Sequence, residues 1–135
     1  MTVTLTARAR FSAAHRLLNP SWSDQKNWAV FGPCFNKNGH GHDYTVEVTV
    51  EGPVDPATGM ILNVKDLKRL LDDEILVYVD HKNLNLDVPF LEGKNPTAET
   101  LALAFWEILE PKITAGRLHE IRVLETENNF ASVRC

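Results

Sequence analysis

The chain contains 135 residues, with 14 Lys and Arg against 18 Asp and Glu, so its net charge is −4 with neutral histidines. That length predicts a single domain spanning residues 1–135. A mildly acidic chain without clustered basic residues is not typical of nucleic-acid-binding proteins. No apolar run has the length of a membrane span, and the first residues do not form a secretion signal. Two cysteines, Cys34 and Cys135, predict no disulfide framework, so we expect a cytoplasmic protein with free thiols.

Alternating apolar residues predict two strands in the first third of the chain. Residues 2–11 place Val3, Leu5, Ala7, Ala9 and Phe11 on one face, and residues 43–51 do the same with Tyr44, Val46, Val48 and Val50. The segment between them, about 17–39, is rich in Asn, Trp, Phe, Gly and Pro and is predicted to be a long loop. Its aromatic residues indicate that this loop packs against something.

Two helices and two further strands are predicted in the rest of the chain. Asn63 is an expected N-cap, with Asp66 in the capping-box position, for a helix whose apolar stripe is Val64, Leu67, Leu71, Ile75 and Tyr78. After a loop over 80–95, a second helix is predicted at about 97–110, with Leu101, Ala104, Phe105 and Ile108 buried. Strands over 118–126 and 130–134 are expected to meet in a tight turn at Asn128–Asn129. The order ββααββ predicts an α+β domain, an antiparallel sheet with two helices on one face.

Two histidines open the second strand. His40 and His42 are separated by one glycine, so in a strand their imidazoles project from the same face and can converge on one cation. His15 shares the parity of Phe11 and can supply a third nitrogen if the two strands pair. Three protein ligands and an open position form the arrangement of catalytic zinc sites. The alternative for the pair alone is two surface histidines at a strand end.

Other reactive groups lie in the predicted loops. Cys34 stands six residues before His40, where a neighbouring cation would favour its thiolate, although a single cysteine is more often an inert residue. Asp80 precedes His81, and an adjacent carboxylate can orient an imidazole for proton transfer. The alternative for His81 is a helix C-terminal histidine favoured by the helix dipole.

Glu125 is the most informative carboxylate. On the third strand it follows Ile121 and Val123 on the face that they share with His119. A carboxylate buried there requires a partner, which a ligand with adjacent N–H donors would provide, unless the strand has already reached solvent. Glu99 has the simpler interpretation of a favourable first-turn charge, and His119 that of a surface histidine.

Taken together, these residues resemble the 6-pyruvoyl tetrahydropterin synthase family, which includes the 6-carboxy-tetrahydropterin synthases of queuosine biosynthesis. The resemblance runs from Phe11 to about Asn129. It is carried by FSAAHRL (11–17), C-x5-HGHDY (34–44), VDPATGMILNVKDLK (54–68), DHKNLNLDVPF (80–90), PTAETLA (96–102) and ETENN (125–129). The combination is specific, whereas no single piece would be.

The resemblance implies the tunnelling fold (T-fold), whose subunits join edge to edge into barrel-like trimers that stack as a homohexamer with active sites at subunit interfaces. It implies Zn²⁺ bound by His15, His40 and His42. Cys34 matches the catalytic base, and Asp80 and His81 match its proton-relay partners. Glu125 matches the pterin anchor, and Thr97, Glu99 and Thr126 match positions near the pterin pocket. Ala98 departs from the Thr-Thr-Glu of animal members, so one pocket hydrogen bond is expected to be absent.

The implied activity is conversion of 7,8-dihydroneopterin triphosphate to 6-pyruvoyl-tetrahydropterin with elimination of triphosphate. The alternative is the 6-carboxy product of queuosine biosynthesis, released with acetaldehyde. The C-x5-HGH spacing favours the pyruvoyl branch, since queuosine-type members more often resemble C-x3-HGH. A zinc- or pterin-binding module without turnover is a third hypothesis, disfavoured by the retained Cys34, Asp80 and His81. Arg16, Lys37, Lys65 and Lys82 are candidates for holding the triphosphate, and the sequence singles out none of them.

Overall fold

The computed structural model describes all 135 residues, and its central feature is a long antiparallel pair of strands. β1 (Val3–His15) and β2 (His40–Gly52) pair along their whole length, from Val3 opposite Gly52 to His15 opposite His40. Both strands extend beyond their predicted ends because the inward parity of Phe11 continues through Ala13 to His15, and all three are buried. This register places the three histidines at one end of the sheet.

Three further strands complete a five-stranded sheet in the order β3-β1-β2-β4-β5. β4 (Arg117–Leu124) pairs antiparallel with β2, and β5 (Phe130–Arg134) pairs antiparallel with β4. The short β3 (Lys82–Asn83), within the predicted 80–95 loop, runs parallel to β1 at Ala13 and Ala14. The mixed α+β architecture is that of a T-fold subunit, as predicted.

Two helical segments cover one face of the sheet and bury the core. The first comprises α2 (Val64–Leu71), a π-helical turn (Asp72–Leu76) and α3 (Val77–Val79), and the second is α4 (Ala98–Leu109). Asn63 caps α2 by accepting a hydrogen bond from the Lys65 amide, as predicted, although Asp66 returns no bond to it. Against these helices lie the fully buried Tyr44, Val46, Val48 and Val50 of β2. None of the helices combines the length and the apolar character that a membrane span requires.

The predicted loop between the first two strands contains a helix that was not predicted. α1 (Asp24–Phe31) is followed by a 3₁₀ turn (Gly32–Phe35). Its one buried residue is Asn27, whose side chain accepts from the Asn19 amide and donates to the carbonyl oxygens of Asn19 and Ser23. A helix organised around an asparagine has no apolar stripe, which is the signal used to predict helices. The loop's aromatic residues do pack, as expected, mainly on each other: Trp22 stacks on Phe31, and Trp28 contacts Phe35 edge-on.

The π-helical turn changes the predicted apolar stripe. Leu67, Leu71 and Ile75 are buried as expected, but Tyr78 is exposed and Val79 takes its place. The wider turn lets buried residues follow one another at intervals of four, whereas a regular α-helix would rotate them away from the sheet. In α4 the fourth predicted stripe residue, Ile108, is only partly buried, and Leu109 is fully buried instead.

β4 ends earlier than predicted and contains an irregularity. Glu120 lies opposite Thr49 and Leu118 opposite Val50, so His119 is the extra residue of a β-bulge. The predicted sharing of one face by His119 and Ile121 is therefore wrong, and His119 lies at the surface beside Glu51. The strand stops at Leu124 because the Thr126 hydroxyl accepts hydrogen bonds from the amides of Asn128 and Asn129. The expected tight turn is a five-residue connection over 125–129, and Glu125 stands just after the strand.

Candidate metal and substrate site

The strand register brings His15 and His40 directly opposite each other, with His42 two residues further along the same face. Gly39 makes this approach possible. Its φ of 73° is a left-handed conformation, and a Cβ added there would lie 2.6 Å from the carbonyl oxygen of His15. Only glycine therefore fits where β2 begins beside the end of β1.

The three imidazoles and Glu125 converge on one point. One ligand atom from each of the four side chains can be chosen so that all lie within 4.8 Å of one another. Nε2 of His15 is 3.2 Å from Nε2 of His40, and the same His15 nitrogen is 3.2 Å from Oε1 of Glu125. Nε2 of His42 lies 2.9 Å from that carboxylate oxygen. The prediction that the two strands bring three histidines together is confirmed.

Contacts outside the cluster fix the orientation of His15. Its Nδ1 lies 2.8 Å from the carbonyl oxygen of Pro96, which can only accept a hydrogen bond. Nδ1 therefore carries the proton, and the lone pair of Nε2 faces the cluster. Burial lowers the pKa of His15, outweighing the opposing effects of the Pro96 carbonyl and Glu125. Burial also lowers the pKa of His42, so the neutral forms that can bind a metal are favoured.

The cluster has the properties of a cation site. Nε2 of His42 is buried without a hydrogen-bond partner, because its short distance to Glu125 lacks hydrogen-bond geometry. Several lone pairs directed at one point repel one another unless a cation lies between them. Three imidazole nitrogens and one carboxylate oxygen are a donor set that suits zinc, and also other divalent transition metals. The residues present thus fit a metal ion without identifying it.

Cys34 lies apart from this cluster within the chain. It is half-buried in the 3₁₀ turn after α1, and its carbonyl oxygen accepts a hydrogen bond from the Leu17 amide. The Cys34 sulfur has no hydrogen-bond partner and is not among the converging ligand atoms. The turn is therefore docked against the chain just beyond His15 by this backbone hydrogen bond and by the Arg16 side chain, which contacts Phe35.

Asp80 and His81 form a second, separate group. Oδ1 of Asp80 accepts a hydrogen bond from the Ser12 amide at 2.9 Å and lies 3.0 Å from Nδ1 of His81. The Ser12 hydrogen bond lowers the pKa of Asp80, with a further lowering from His81. His81 has a φ of 59°, which is uncommon for a residue with a side chain, and its ring is largely exposed. Within one chain, no hydrogen bond or ion pair joins this group to Cys34 or to the histidines.

The remaining predicted substrate residues have structural partners of their own. The Thr97 hydroxyl caps α4 by accepting from the Thr100 amide, and the Thr126 hydroxyl holds the 125–129 connection. Glu99 is exposed in the first turn of α4 and makes no ion pair. The structure brings Glu125 alone of these substrate residues into the histidine cluster.

Comparison with known proteins decides the family. The family model described as "6-pyruvoyl tetrahydropterin synthase" matches residues 4–135. The chain belongs to the 6-pyruvoyl tetrahydropterin synthase family.

Individual family members are similar along most of the chain. A 6-pyruvoyl tetrahydrobiopterin synthase from Homo sapiens is 45% identical over 126 residues, covering 93% of this chain and 87% of the human protein. The structure of the Caenorhabditis elegans 6-pyruvoyl tetrahydropterin synthase superposes with a TM-score of 0.93 at 36% identity, covering 100% of this chain and 96% of that one. A putative 6-carboxy-5,6,7,8-tetrahydropterin synthase from Archaeoglobus fulgidus is 34% identical over 96 residues, covering 70% of this chain and 75% of the relative.

Two features near the site of this family member were not predicted from its sequence. The first is the Pro96 carbonyl, which fixes the His15 tautomer. It could not be predicted because every residue has a backbone carbonyl, and the sequence does not show which one accepts a hydrogen bond from His15. The second is a cavity bordered by Arg16 and Gly39, the sequence neighbours of His15 and His40, whose wall also contains Lys94 and five asparagines. These asparagines come from four separate stretches of the chain and form one surface only when the chain folds.

Proposed function

We propose that this protein is a zinc-dependent 6-pyruvoyl tetrahydropterin synthase. It converts 7,8-dihydroneopterin triphosphate to 6-pyruvoyl-tetrahydropterin and eliminates triphosphate, which makes it a carbon–oxygen lyase acting on phosphates. The observation that carries the proposal is the convergence of His15, His40, His42 and Glu125 in a chain that matches the family over residues 4–135. The similarity to relatives that bear this name supports the pyruvoyl product.

In this proposal the three histidines hold the metal. His15 is the most rigid of them, since it is buried and hydrogen-bonded to Pro96. The chemistry supplied by a zinc ion held there is Lewis-acid polarisation of the hydroxyl groups on the substrate side chain. Glu125 anchors the pterin ring, whose adjacent N–H and amino donors suit a carboxylate. The pterin and its side-chain hydroxyls would then lie at the two ends of the same cluster.

The proton-transfer groups are Cys34, Asp80 and His81. The Cys34 thiolate removes a carbon-bound proton from the substrate, and His81, oriented by Asp80, relays protons. The hydrogen bond from the Ser12 amide holds Asp80 in place for that role. Because Cys34 makes no contact with Asp80 or His81 inside one chain, we assign the complete site to an interface between subunits. A homohexamer made from two trimers would supply that interface.

The carboxy-forming branch is the second candidate. The similarity to the putative Archaeoglobus fulgidus 6-carboxy-5,6,7,8-tetrahydropterin synthase favours it, although that relative covers a smaller part of the chain than the pyruvoyl-named ones. Both branches use the same opening steps and would require the same residues. They differ in whether acetaldehyde is released. The third candidate, a zinc- or pterin-binding module, predicts binding without any turnover.

Replacement of Cys34 separates an enzyme from a binding module. Cys34→Ala is expected to retain zinc and pterin binding while turnover of 7,8-dihydroneopterin triphosphate falls by at least about 100-fold, the range for loss of an acid–base group. Cys135→Ala, which removes the exposed cysteine at the other end of the chain, is the matched control and should leave turnover unchanged. Equal turnover by Cys34→Ala and the parent would exclude the assigned role of this thiol.

A further inference from the structure

One cavity of the protein is lined by residues that neighbour the histidines along the chain. It has a volume of about 790 Å³. Three segments that hold or orient the histidines each contribute a neighbouring residue to its wall: Arg16 follows His15, Gly39 precedes His40, and Asn95 precedes the Pro96 carbonyl that orients His15. The segment of Glu125 contributes none. The cavity therefore borders segments that hold or orient the histidines, although none of His15, His40, His42 and Glu125 lines it.

The wall of this cavity is cationic although the whole chain is acidic. Arg16, Lys37 and Lys94 line it, and no aspartate or glutamate does. None of these three cations forms an ion pair with a carboxylate of the chain, whereas Arg8, Arg117, Arg122 and Arg134 all do. Five asparagines in the wall, Asn19, Asn38, Asn83, Asn85 and Asn95, offer uncharged donors. Such a surface suits a ligand with several negative charges.

Contacts within the chain fix the position of the Arg16 side chain. Its amide donates to Oδ1 of Asn85 at 2.7 Å, and the Asn85 amide group donates back to the Arg16 carbonyl at 2.8 Å. Its Nε donates to the Phe35 carbonyl at 3.0 Å, and its guanidinium lies 4.4 Å from the centre of the Phe35 ring. Both terminal amino groups remain without an acceptor in the chain, and a guanidinium fixed in this way can bind phosphate oxygens in pairs.

We propose that this cavity binds the triphosphate chain of the substrate, with Arg16, Lys37 and Lys94 as the residues that bind it. The inference rests on the proposed function, which puts the pterin at Glu125 and the side-chain hydroxyls at the histidines, so that the phosphates would occupy the cavity bordered by the His15 and His40 segments. The proposal distinguishes among the four residues that the sequence left as candidates for holding the triphosphate. Arg16 and Lys37 line the cavity, while Lys65 on α2 and Lys82 on β3 do not.

The test uses inorganic tripolyphosphate and phosphate-free 7,8-dihydroneopterin as separate probes of the zinc-loaded protein. Arg16→Gln is expected to weaken tripolyphosphate binding by at least about tenfold, and Lys37→Gln and Lys94→Gln by a few fold each. Lys65→Gln is the matched control and should bind like the parent. Binding of 7,8-dihydroneopterin should stay the same in all four variants. Zinc content is measured before and after each titration, because tripolyphosphate itself chelates metal.

The outcomes distinguish this inference from the function on which it rests. Equal tripolyphosphate affinity in Arg16→Gln, Lys37→Gln, Lys94→Gln and Lys65→Gln, in protein that turns over substrate, would overturn the cavity assignment alone. Selective weakening in the three cavity variants of a protein without turnover would support an anion site and contradict the proposed activity. Lys37 and Lys94 are exposed, so their variants test the cavity even if Arg16→Gln folds poorly.

Discussion

Glu125 has two possible roles that the structure places at the same point, since its carboxylate lies within 3.2 Å of two imidazole nitrogens. A metal ligand and a pterin anchor respond differently to loss of charge. We expect Glu125→Gln to keep one zinc per chain while the KM for substrate rises by at least about tenfold, because an amide cannot accept from both ring donors. His42→Ala is the comparison and should lose zinc. Zinc content is measured by metal analysis after dialysis. Loss of zinc from both variants would show that Glu125 is a metal ligand.

The contribution of Asp80 to stability is expected to depend on pH. Its pKa is lowered from the ordinary 3.8, first by the hydrogen bond from the Ser12 amide and also by His81. A carboxyl whose folded pKa is depressed stabilises the fold fully above pH 3.8, and this stabilisation is lost as the pH falls through the folded value. Asp80→Asn should therefore lower the free energy of unfolding more at pH 5 than at pH 3. Urea unfolding of both proteins at the two pH values measures this, and a pH-independent difference would contradict it.

At the scale of elements, the site depends on how closely two strand ends approach. Gly39→Ala adds a Cβ 2.6 Å from the His15 carbonyl oxygen, in a left-handed conformation. We expect it to weaken zinc binding by about tenfold or more without removing a ligand, by displacing His40 from His15. Gly59→Ala is the matched control, since Gly59 has a similar φ of 74° but open space around it.

The control variant Gly59→Ala isolates the loss of stability that the left-handed backbone conformation causes. Gly59→Ala should lower stability by about 1–2 kcal/mol through the left-handed conformation alone and leave zinc affinity unchanged. Competition with a chromogenic chelator gives the zinc affinity of each variant. If Gly39→Ala binds zinc like the parent, the close approach of the two strands does not set the ligand geometry.

Elements with a periodic apolar face could be predicted from the sequence, and others could not. β1, β2 and α4 follow such faces, and the parity that carries Phe11 through to His15 also predicted the histidine cluster. α1 was missed because Asn27 organises it through hydrogen bonds, and Val79 was missed because a π-helical turn interrupts the helical period. The bulge at His119 depends on pairing between strands distant in sequence, which periodicity within β4 does not contain.

At the scale of the whole molecule, Cys34 and the Asp80–His81 pair lie in separate places on one chain. The resemblance to the family supplied their roles, whereas the residues alone left each with a second interpretation. If the site is shared between subunits, two inactive variants should complement each other. Mixing Cys34→Ala and His81→Ala chains through unfolding and refolding should restore about a quarter of the parent activity, the share of interfaces with both groups intact.

The mixing experiment has two controls. Each variant refolded alone should remain inactive, and mixing Cys34→Ala with a second variant of the same residue, Cys34→Ser, should restore nothing. Sedimentation would establish that the chains exchange into one assembly. A mixture of Cys34→Ala and His81→Ala that exchanges subunits but stays inactive would contradict a site shared in this way.

The central claim is that this chain makes a pyruvoyl pterin. It is tested most directly by anaerobic incubation of the zinc-loaded protein with 7,8-dihydroneopterin triphosphate, with mass spectrometry of the pterin product and an assay for acetaldehyde. We predict 6-pyruvoyl-tetrahydropterin, triphosphate and no acetaldehyde. A 6-carboxy product with stoichiometric acetaldehyde would place the protein on the other branch, and unchanged substrate would contradict an enzymatic function.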